Sequence, residues 1–560
     1  MKSKTSLFKK GLILSDLKRY WWVSVIFAIG LILTMPLAHY MQKFNINTDN
    51  SNIRYIKELI ARELNFHSGI SLLFPAVIPV IIAVLAYRYI QKGRQVSLYH
   101  SLPVTRAALY FNSLVSALIL YIVPLLINVM VMGLLNSFSF LSDYYTTALI
   151  FNWLGLSLLY GILFMSMTIF VGMFTGSSVA QIVFLYILNL LPVFFFEVIR
   201  ANLSSLLYGF ATYSNTGFYR KTPMSMLFSN SWELTPWLIV GYIVLTLLLL
   251  VGGLVAFKLR RPETAGDIIT FNPIRPVFIY GVTVCATLVG GAYFLAISRA
   301  SIPFAVFGYF LCALIGYVVV QMVTNKTFKV LNTYKGYLGY ALVLIIILLG
   351  IKFDVFGYIN KVPAVDEVEN VYIGYNLYFL ENKDNEKFLS PSNDNSIIYK
   401  ETANIKNITE LHKMVLENRS KEGSPTYMAY TLKNGKRIVR YYNIDTNLYA
   451  SALGPIYESK EYKNGRFPIL HQEADDIKYI QVHDTSNNKQ PIVISDKDKL
   501  KSFITGIRKD INSLNYQQLT SPAPDKLWIE INDNKDIIVP YAVNSNYTNT
   551  LNWFSNNNNR

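Results

Sequence analysis

Long apolar runs separated by short polar loops fill the first two thirds of the chain. They extend approximately from Trp21 to Tyr40, Ile70 to Tyr87, Leu109 to Leu135, Thr147 to Phe174 and Val179 to Val198, and then from Pro236 to Phe257, Pro276 to Ile297, Ile302 to Val323 and Tyr337 to Ile351. Each is near the roughly 20 residues that a helix needs to cross a bilayer, so the pattern predicts about nine transmembrane helices within residues 21–352. Pro36, Pro75, Pro79, Pro124 and Pro192 fall inside or near the ends of these runs, which predicts kinks whose freed carbonyls are satisfied by neighbouring helices.

Beyond residue 352 the pattern changes to short alternating strands and amphipathic stretches. The fold class expected is therefore a polytopic α-helical membrane protein with a C-terminal α+β extracytoplasmic domain over residues 353–560. Tyr427 to Leu432 and Arg437 to Tyr442 alternate around Asn434-Gly435, a hairpin signal. Ser495 stands where it can cap a helix whose apolar face is Leu500, Phe503, Ile504, Ile507, Ile511 and Leu514. A second hairpin, Leu527 to Ile531 and Ile537 to Tyr541, turns at Asp533-Asn534. The order strand, strand, helix, hairpin occurs over about 365–445 and again over about 475–545, so the domain reads either as a duplicated unit or as one irregular α+β domain. Ser555 to Arg560 reads as a frayed polar end.

Charge sharpens this picture. The chain has 560 residues, 52% hydrophobic and only 15% charged, with a formal net charge of +16. Residues 1–352 hold 26 Lys+Arg against 9 Asp+Glu, and residues 353–560 hold 25 against 26, so the whole excess lies between apolar runs. Such residues are orientation signals, and nucleic-acid binding is set aside. With a cytoplasmic N-terminus, the loops Lys2 to Arg19, Arg88 to Arg106, Lys258 to Arg275 and Lys326 to Lys335 carry 17 Lys+Arg against 8 in the opposite loops. Nine crossings then put the C-terminal domain outside a plasma membrane. The basic N-terminal segment lacks a small-residue cleavage pattern and is read as retained, residues 1–20 forming a cytoplasmic amphipathic helix.

Familiar chemistry is missing. There is no Gly-x-x-x-x-Gly-Lys-Ser/Thr phosphate loop and no Gly-x-Ser-x-Gly elbow; the six histidines have no i, i+4 pairing, and Cys285 and Cys312 both lie in apolar runs. No catalytic, cofactor or metal residue is assigned, and Asp475-Asp476 reads as a solvated turn. Inside the membrane, Glu197, Arg200 and Asn128 are the candidates for function, because ionisable and polar groups are costly there; interfacial snorkelling, or pairing of Glu197 with Arg200, is the stronger competing reading for those two, and Asn128 is better read as interhelical glue. Asn152, Gln181, Asn189 and Gln321 read as further glue, and Gly172 with Gly176 as a close-packing ridge.

Two loops stand out. Ser101-Leu102-Pro103-Val104-Thr105-Arg106 precedes the third run in a loop free of carboxylates, and Arg260-Arg261-Pro262-Glu263-Thr264-Ala265-Gly266-Asp267 follows the sixth. The first, with the basic N-terminal segment, resembles the permease subunits of ABC-2-type transporters, and Arg260 to Gly266 is similar to a motif of a Gram-positive branch of that family. The resemblance is best over residues 1–270. It implies a coupling loop over about Gln95 to Arg106, docking on a separate ATPase subunit through Gln95, Tyr99, His100, Leu102, Pro103 and Arg106, with Leu7 to Arg19 as connecting helix. It also implies a second permease subunit, identical or homologous, and no cofactor in this chain, ATP and Mg²⁺ being bound by the partner. The chain itself is then no enzyme, and the substrate is a peptide, an antibiotic or a lipid-linked envelope compound, exported or extracted. The added spans and the large outer domain depart from the family's six-span pattern. An envelope-stress sensor without transport and a membrane-embedded envelope enzyme are the competing readings.

The topology is checked by impermeant thiol labelling of Ser97→Cys and Asn434→Cys in a background with Cys285 and Cys312 replaced by alanine. The two sites are expected to label from opposite faces of the membrane; labelling from one face removes the external domain.

Overall fold

The structure, a computed structural model, describes residues 8–41, 50–67, 69–138, 146–212, 221–228, 234–261, 263, 266, 270–271, 273–377, 397–420, 422–485, 491–520, 523–533 and 538–558. The chain divides into two compact units: Met1–Ile199 with Asn215–Ala341, and Arg200–Ser214 with Leu342–Arg560.

The first unit is helical. It contains α1 (Lys10–Thr34), α2 (Pro36–Met41), α3 (Asn50–Leu64), α4 (Leu73–Ala86), α5 (Gly93–Ser101), α6 (Arg106–Phe138), α7 (Thr147–Phe174), α8 (Ser178–Leu206), α9 (Pro223–Leu227), α10 (Pro236–Leu259), α11 (Ile274–Ile297), α12 (Ile302–Asn325) and the start of α13 (Tyr334–Lys352). Among the described residues, eight helical stretches are long and apolar enough to cross a membrane: Lys10–Met41, Arg106–Phe138, Thr147–Phe174, Ser178–Leu206, Pro236–Leu259, Ile274–Ile297, Ile302–Asn325 and Leu331–Lys352. The ninth expected segment, Ile70–Ala86, is helical but shorter, a three-residue 3₁₀ turn followed by the 14 residues of α4. It is the inner helix of the bundle, packed against α1, α6 and α7 with Ala76, Val80, Ile82, Ala83 and Ala86 buried. Its apolar run looked like the others because burial in protein and burial in lipid select the same side chains.

The kink expected at Pro36 is present, whereas the sequence pattern passed over α3. Pro36 lacks a backbone N–H, and Met35 before it leaves helical geometry, so the first span is broken into α1 and α2. The amphipathic α3 buries Ile60 and Leu64, and its Glu63 carboxylate, 8% exposed, lies 3.0 Å from His39 Nε2 and accepts a hydrogen bond from Ser71 Oγ at 3.2 Å. Small residues set another contact, between α11 and α12. A Cβ on Gly290 would run into the Cys312 Cβ, and one on Gly316 would meet the Ala286 Cβ at 2.5 Å. This is the small-residue packing that lets membrane helices approach closely.

The second unit is built of two like halves. The first has β1 (Val368–Gly374), β2 (Ile398–Tyr399), α14 (Thr402–Asn418), β3 (Ser424–Leu432) and β4 (Arg437–Ile444), with sheet order β2-β1-β3-β4, all antiparallel. Two short helices follow, α15 (Ala450–Tyr457) and α16 (Lys460–Arg466). The second half has β5 (Ile477–Asp484), β6 (Ile492–Ile494), α17 (Lys497–Ser513), α18 (Tyr516–Thr520), β7 (Asp525–Asp533) and β8 (Ile538–Asn544), in the order β6-β5-β7-β8, before α19 (Thr548–Asn558). The inward positions of α14 (Ile405, Ile408, Leu411, Val415) and of α17 (Leu500, Phe503, Ile504, Ile507, Ile511) join one core with the strands. At the first hairpin Gly435 takes φ +79°, and Asn434 Oδ1 accepts from Lys436 N at 3.0 Å. The turn of the second hairpin, Asn534 onward, lies outside the described residues.

Two local expectations are corrected. The cap of α17 is Asp496, whose extended backbone aims its carboxylate at Lys499 N (3.0 Å), and not Ser495. Ser555 to Asn558 close α19 instead of fraying, and Asn559 and Arg560 lie outside the described residues. That helix is anchored at its start by the buried Asp510 carboxylate, which accepts from Asn549 N (3.0 Å), Thr550 N (2.8 Å) and Thr550 Oγ1 (2.7 Å).

The residues after α8 belong to this unit. Gly209 O accepts from Tyr441 N at 3.2 Å and Phe210 bridges to Arg440, so the segment adds to the free edge of β4. Gly209 has φ +81° and approaches the Tyr442 ring so closely that a Cβ would meet it at 2.5 Å, a position only glycine fits. The Tyr208 ring lies 5.2 Å from that of Tyr442 and its hydroxyl donates to Val415 O at 3.4 Å and Ser420 O at 3.3 Å. Behind Tyr442, the buried His412 bridges two hydroxyls, Nδ1 to Tyr430 at 3.1 Å and Nε2 to Tyr442 at 2.9 Å. Burial, helped by the nearby Arg440 charge, holds the His412 imidazole down to about 4 from its ordinary 6.5. The unfolded chain therefore binds the proton more readily, and stability falls as pH drops from about 6.5 toward 4, by at most about 1.4 kcal/mol per pH unit. Thermal unfolding of this unit followed from pH 7 to 5 is expected to show that slope, and His412→Gln to flatten it.

Candidate functional site

The route from α4 to α6 is where the carboxylate-free loop folds. A 3₁₀ turn (Arg88–Ile90) follows α4 and leads into α5. Leu102, forced out of helical geometry by the following Pro103, ends α5 in an extended conformation. Thr105 then caps α6, its Oγ1 accepting from Ala108 N at 3.2 Å. Leu-Pro-Val-Thr is thus a helix stop followed by a helix start, which fixes α5 as a short separate helix.

Arg106 and Arg260 complete the arrangement, and neither uses a carboxylate. Arg106 Nη1 donates to Lys258 O at 2.8 Å, Arg260 O at 3.1 Å and Phe257 O at 3.5 Å, the orphan carbonyls at the end of α10. Arg260, 6% exposed, turns the other way: Nη1 donates to Gly172 O (2.6 Å), Thr175 O (2.9 Å) and Met173 O (3.1 Å) at the end of α7, and Nη2 to Ile90 O at 3.1 Å. The carbonyl ends of helices carry partial negative charge, so a guanidinium fork suits them. Burial holds the Arg260 guanidinium down to about 10, which leaves it charged at neutral pH. Next to it, Gln91 Nε2 donates to Gln181 Oε1 at 2.5 Å, Ser178 Oγ donates to Gln91 Oε1, and Gln181 Nε2 donates to Thr168 O at 2.7 Å. The ends of α7 and α10, the start of α8 and the turn before α5 meet in one polar junction.

On this junction α5 presents two faces. Val96 is buried, and Tyr99 stacks on Tyr89 with ring centroids 4.5 Å apart. Burial, with the Asp16 charge, raises the Tyr99 hydroxyl above its ordinary range while Arg19 opposes the rise, which ties α5 to the start of α1. Leu98 (61% exposed), Leu102 and Pro103 face outward beside exposed Lys92 and Arg94, and Gln95 is half-buried. Of the expected docking residues, Leu102 and Pro103 are free to meet a partner, Tyr99 is held inward and Arg106 is occupied by α10. The His100 side chain lies outside what is described. Leu98 was not singled out by the sequence reading, although its place one turn before Leu102 was available as a signal. Pro262, Thr264, Ala265 and Asp267 of the second loop lie outside the described residues.

The intramembrane candidates do not come together with this junction. Asn128 is fully buried, its Nδ2 facing Met132 Sδ at 3.4 Å and Met35 Sδ at 4.0 Å, and its Oδ1 has no hydrogen-bond partner among the described residues. Glu197 and Arg200 are both half-buried near the end of α8. Arg200 lies close enough to Tyr427 to oppose the rise that burial gives that hydroxyl. Among the described residues no group of three or more His, Cys, Asp or Glu could hold a metal ion.

Eight long apolar helices and a C-terminal pair of small antiparallel sheets define a polytopic helical membrane protein with an appended α+β unit. Residues 430–559 match a family model described as DUF6449, a domain of unknown function, which begins within β3 and takes in the whole second half of that unit. No curated protein and no solved structure matches the chain.

Removing the junction is expected to be costly. Arg260→Lys loses the fork that reaches four carbonyls on two segments and is expected to destabilise the helical unit by about 2–4 kcal/mol. Arg106→Lys, at a half-exposed site, is expected to cost about 1 kcal/mol. Thermal melting in detergent, followed by size-exclusion fluorescence, measures both; an Arg260→Lys midpoint equal to wild type contradicts the junction.

Proposed function

We propose that the chain is the permease subunit of an ABC transporter, with α5 as the element that docks on a separate ATPase subunit. The observation that carries this reading is α5 itself: a short helix with an exposed apolar ridge (Leu98, Leu102, Pro103) and a basic margin (Lys92, Arg94), seated on a junction that joins three long helices. A load applied there reaches the ends of α7, α8 and α10 at once. That suits a coupling element, and it agrees with the family resemblance of the loop.

In this reading the N-terminus and α5 are cytoplasmic in a plasma membrane, Ile70–Ala86 counts as a crossing within the bundle, and the C-terminal unit is extracytoplasmic. ATP binding and hydrolysis, with Mg²⁺, occur in the partner, and closure of an ATPase pair pushes on α5. A second permease subunit, identical or homologous, completes the path for a peptide, antibiotic or lipid-linked envelope compound. The broken first span and the proline-containing inner α4 are the elements that change shape between the two states of the bundle.

The test is affinity purification of the tagged chain from native membranes, comparing wild type with Leu98→Glu plus Leu102→Glu. Wild type is expected to retain an ATP-hydrolysing subunit, identified by mass spectrometry, and the doubly substituted chain to lose at least about 90% of it, as expected for two central apolar anchors. Failure of wild type to retain any nucleotide-binding partner sinks the proposal.

A further inference from the structure

Helix α8 is a continuous element of 29 residues that takes part in both units: residues up to Ile199 are counted with the first and those from Arg200 with the second. Its first turns are bonded to the segments that carry α5. Ser178 and Gln181 hold Gln91, which stands two residues before α5, and Tyr186 OH donates to Ala76 O of α4 at 3.0 Å. Its last turn runs into the Tyr208–Phe210 clasp on β4 and α14, where Gly209 O accepts from Tyr441 N and Tyr208 OH reaches Val415 O. Each attachment is made by named hydrogen bonds to a folded element, so neither end of the helix moves freely of its unit.

From these two attachments we propose that α8 is a coupling strut: a change in the first sheet of the C-terminal unit is carried along it to the turn that holds α5, and a change at α5 is carried back. Pro192 lies inside the helix and leaves the carbonyl four residues earlier without its helical donor, which gives the strut one point at which to bend. The clasp is built so that it can be lost as a unit, since Gly209 sits at positive φ against Tyr442 and tolerates no side chain. This inference does not depend on what docks on α5. It concerns the chain alone, and its failure is separate from failure of the permease reading.

Hydrogen exchange on the full-length chain in lipid nanodiscs tests it, comparing wild type with Gly209→Val and with Tyr441→Pro, which removes the donor to Gly209 O together with the Tyr441 ring that packs on Tyr427. Both variants are expected to speed exchange in Leu203–Phe210 and, through α8, to speed exchange in Gly93–Ser101 by at least about threefold, as for a helix that loses part of its anchorage. Faster exchange confined to the clasp, with Gly93–Ser101 as in wild type, overturns the proposal. So does a Gly209→Val chain whose clasp stays as protected as in wild type. Strands β5, β7 and β8 report whether the C-terminal unit is still folded. Should they lose protection, Gln91→Leu decides from the other end: coupling is reciprocal, so exchange at Tyr208–Thr212 is expected to rise by a similar factor, and no change there overturns the strut.

Discussion

A helix that ends inside a packed bundle leaves carbonyl groups that neither water nor lipid can satisfy, and the helical unit depends on how those groups are met. Here two arginines meet them. Arg260 gathers the end of α7 and the turn after α4, and Arg106 gathers the end of α10, including the backbone of Arg260 itself. The acceptors of both arginines are neutral peptide dipoles, so among the described residues no carboxylate holds them whose protonation could release the junction. Two loops 150 residues apart in the chain are held as one structure, and α5 rests on it as a result.

Much of this architecture was legible from periodicity alone. Apolar runs marked the long helices, and the alternation around Asn434-Gly435 and the apolar face from Leu500 to Leu514 located elements of the two sheets and of α17 to within a few residues. Those readings worked because each element is amphipathic or apolar enough to declare its period. The depth of Ile70–Ala86 was not legible, since an apolar helix packed largely against α1, α6 and α7 has the composition of one surrounded by lipid. Nor was the role of Arg260. A basic residue just past a span reads as an orientation signal, and only the fold shows that its guanidinium turns inward onto four carbonyls. The helix α3 escaped because its polar face is long and its buried positions, Ile60 and Leu64, are few.

In the C-terminal unit the two halves repeat a strand order but not a role. The first half receives the chain segment that follows α8 and covers the edge of β4 with it. That edge would otherwise be an open row of backbone donors and acceptors. The second half instead ends in α19, anchored by Asp510, a buried carboxylate at a helix start. The two halves of like strand order thus carry different additions: one edge for attachment, one face for closure.

The short inner helix has a consequence for how the protein meets membranes of different thickness. At about 1.5 Å per residue, Ile70–Ala86 reaches roughly 25 Å, less than the ~30 Å of a typical hydrocarbon core, whereas α6 and α8 with 33 and 29 residues exceed it. Outer helices of that length adjust to a thicker or thinner bilayer by tilting. The inner helix buries Ala76, Val80 and Ala83 against α1, α6 and α7 and exposes only the stripe Leu73, Val77 and Ile81, so its position is set mainly by its helical neighbours and the longer helices have the greater freedom to tilt. Because α7 and α10 end, and α8 begins, at the arginine junction, any tilt of these helices is applied at the seat of α5, the structure that the two arginines hold.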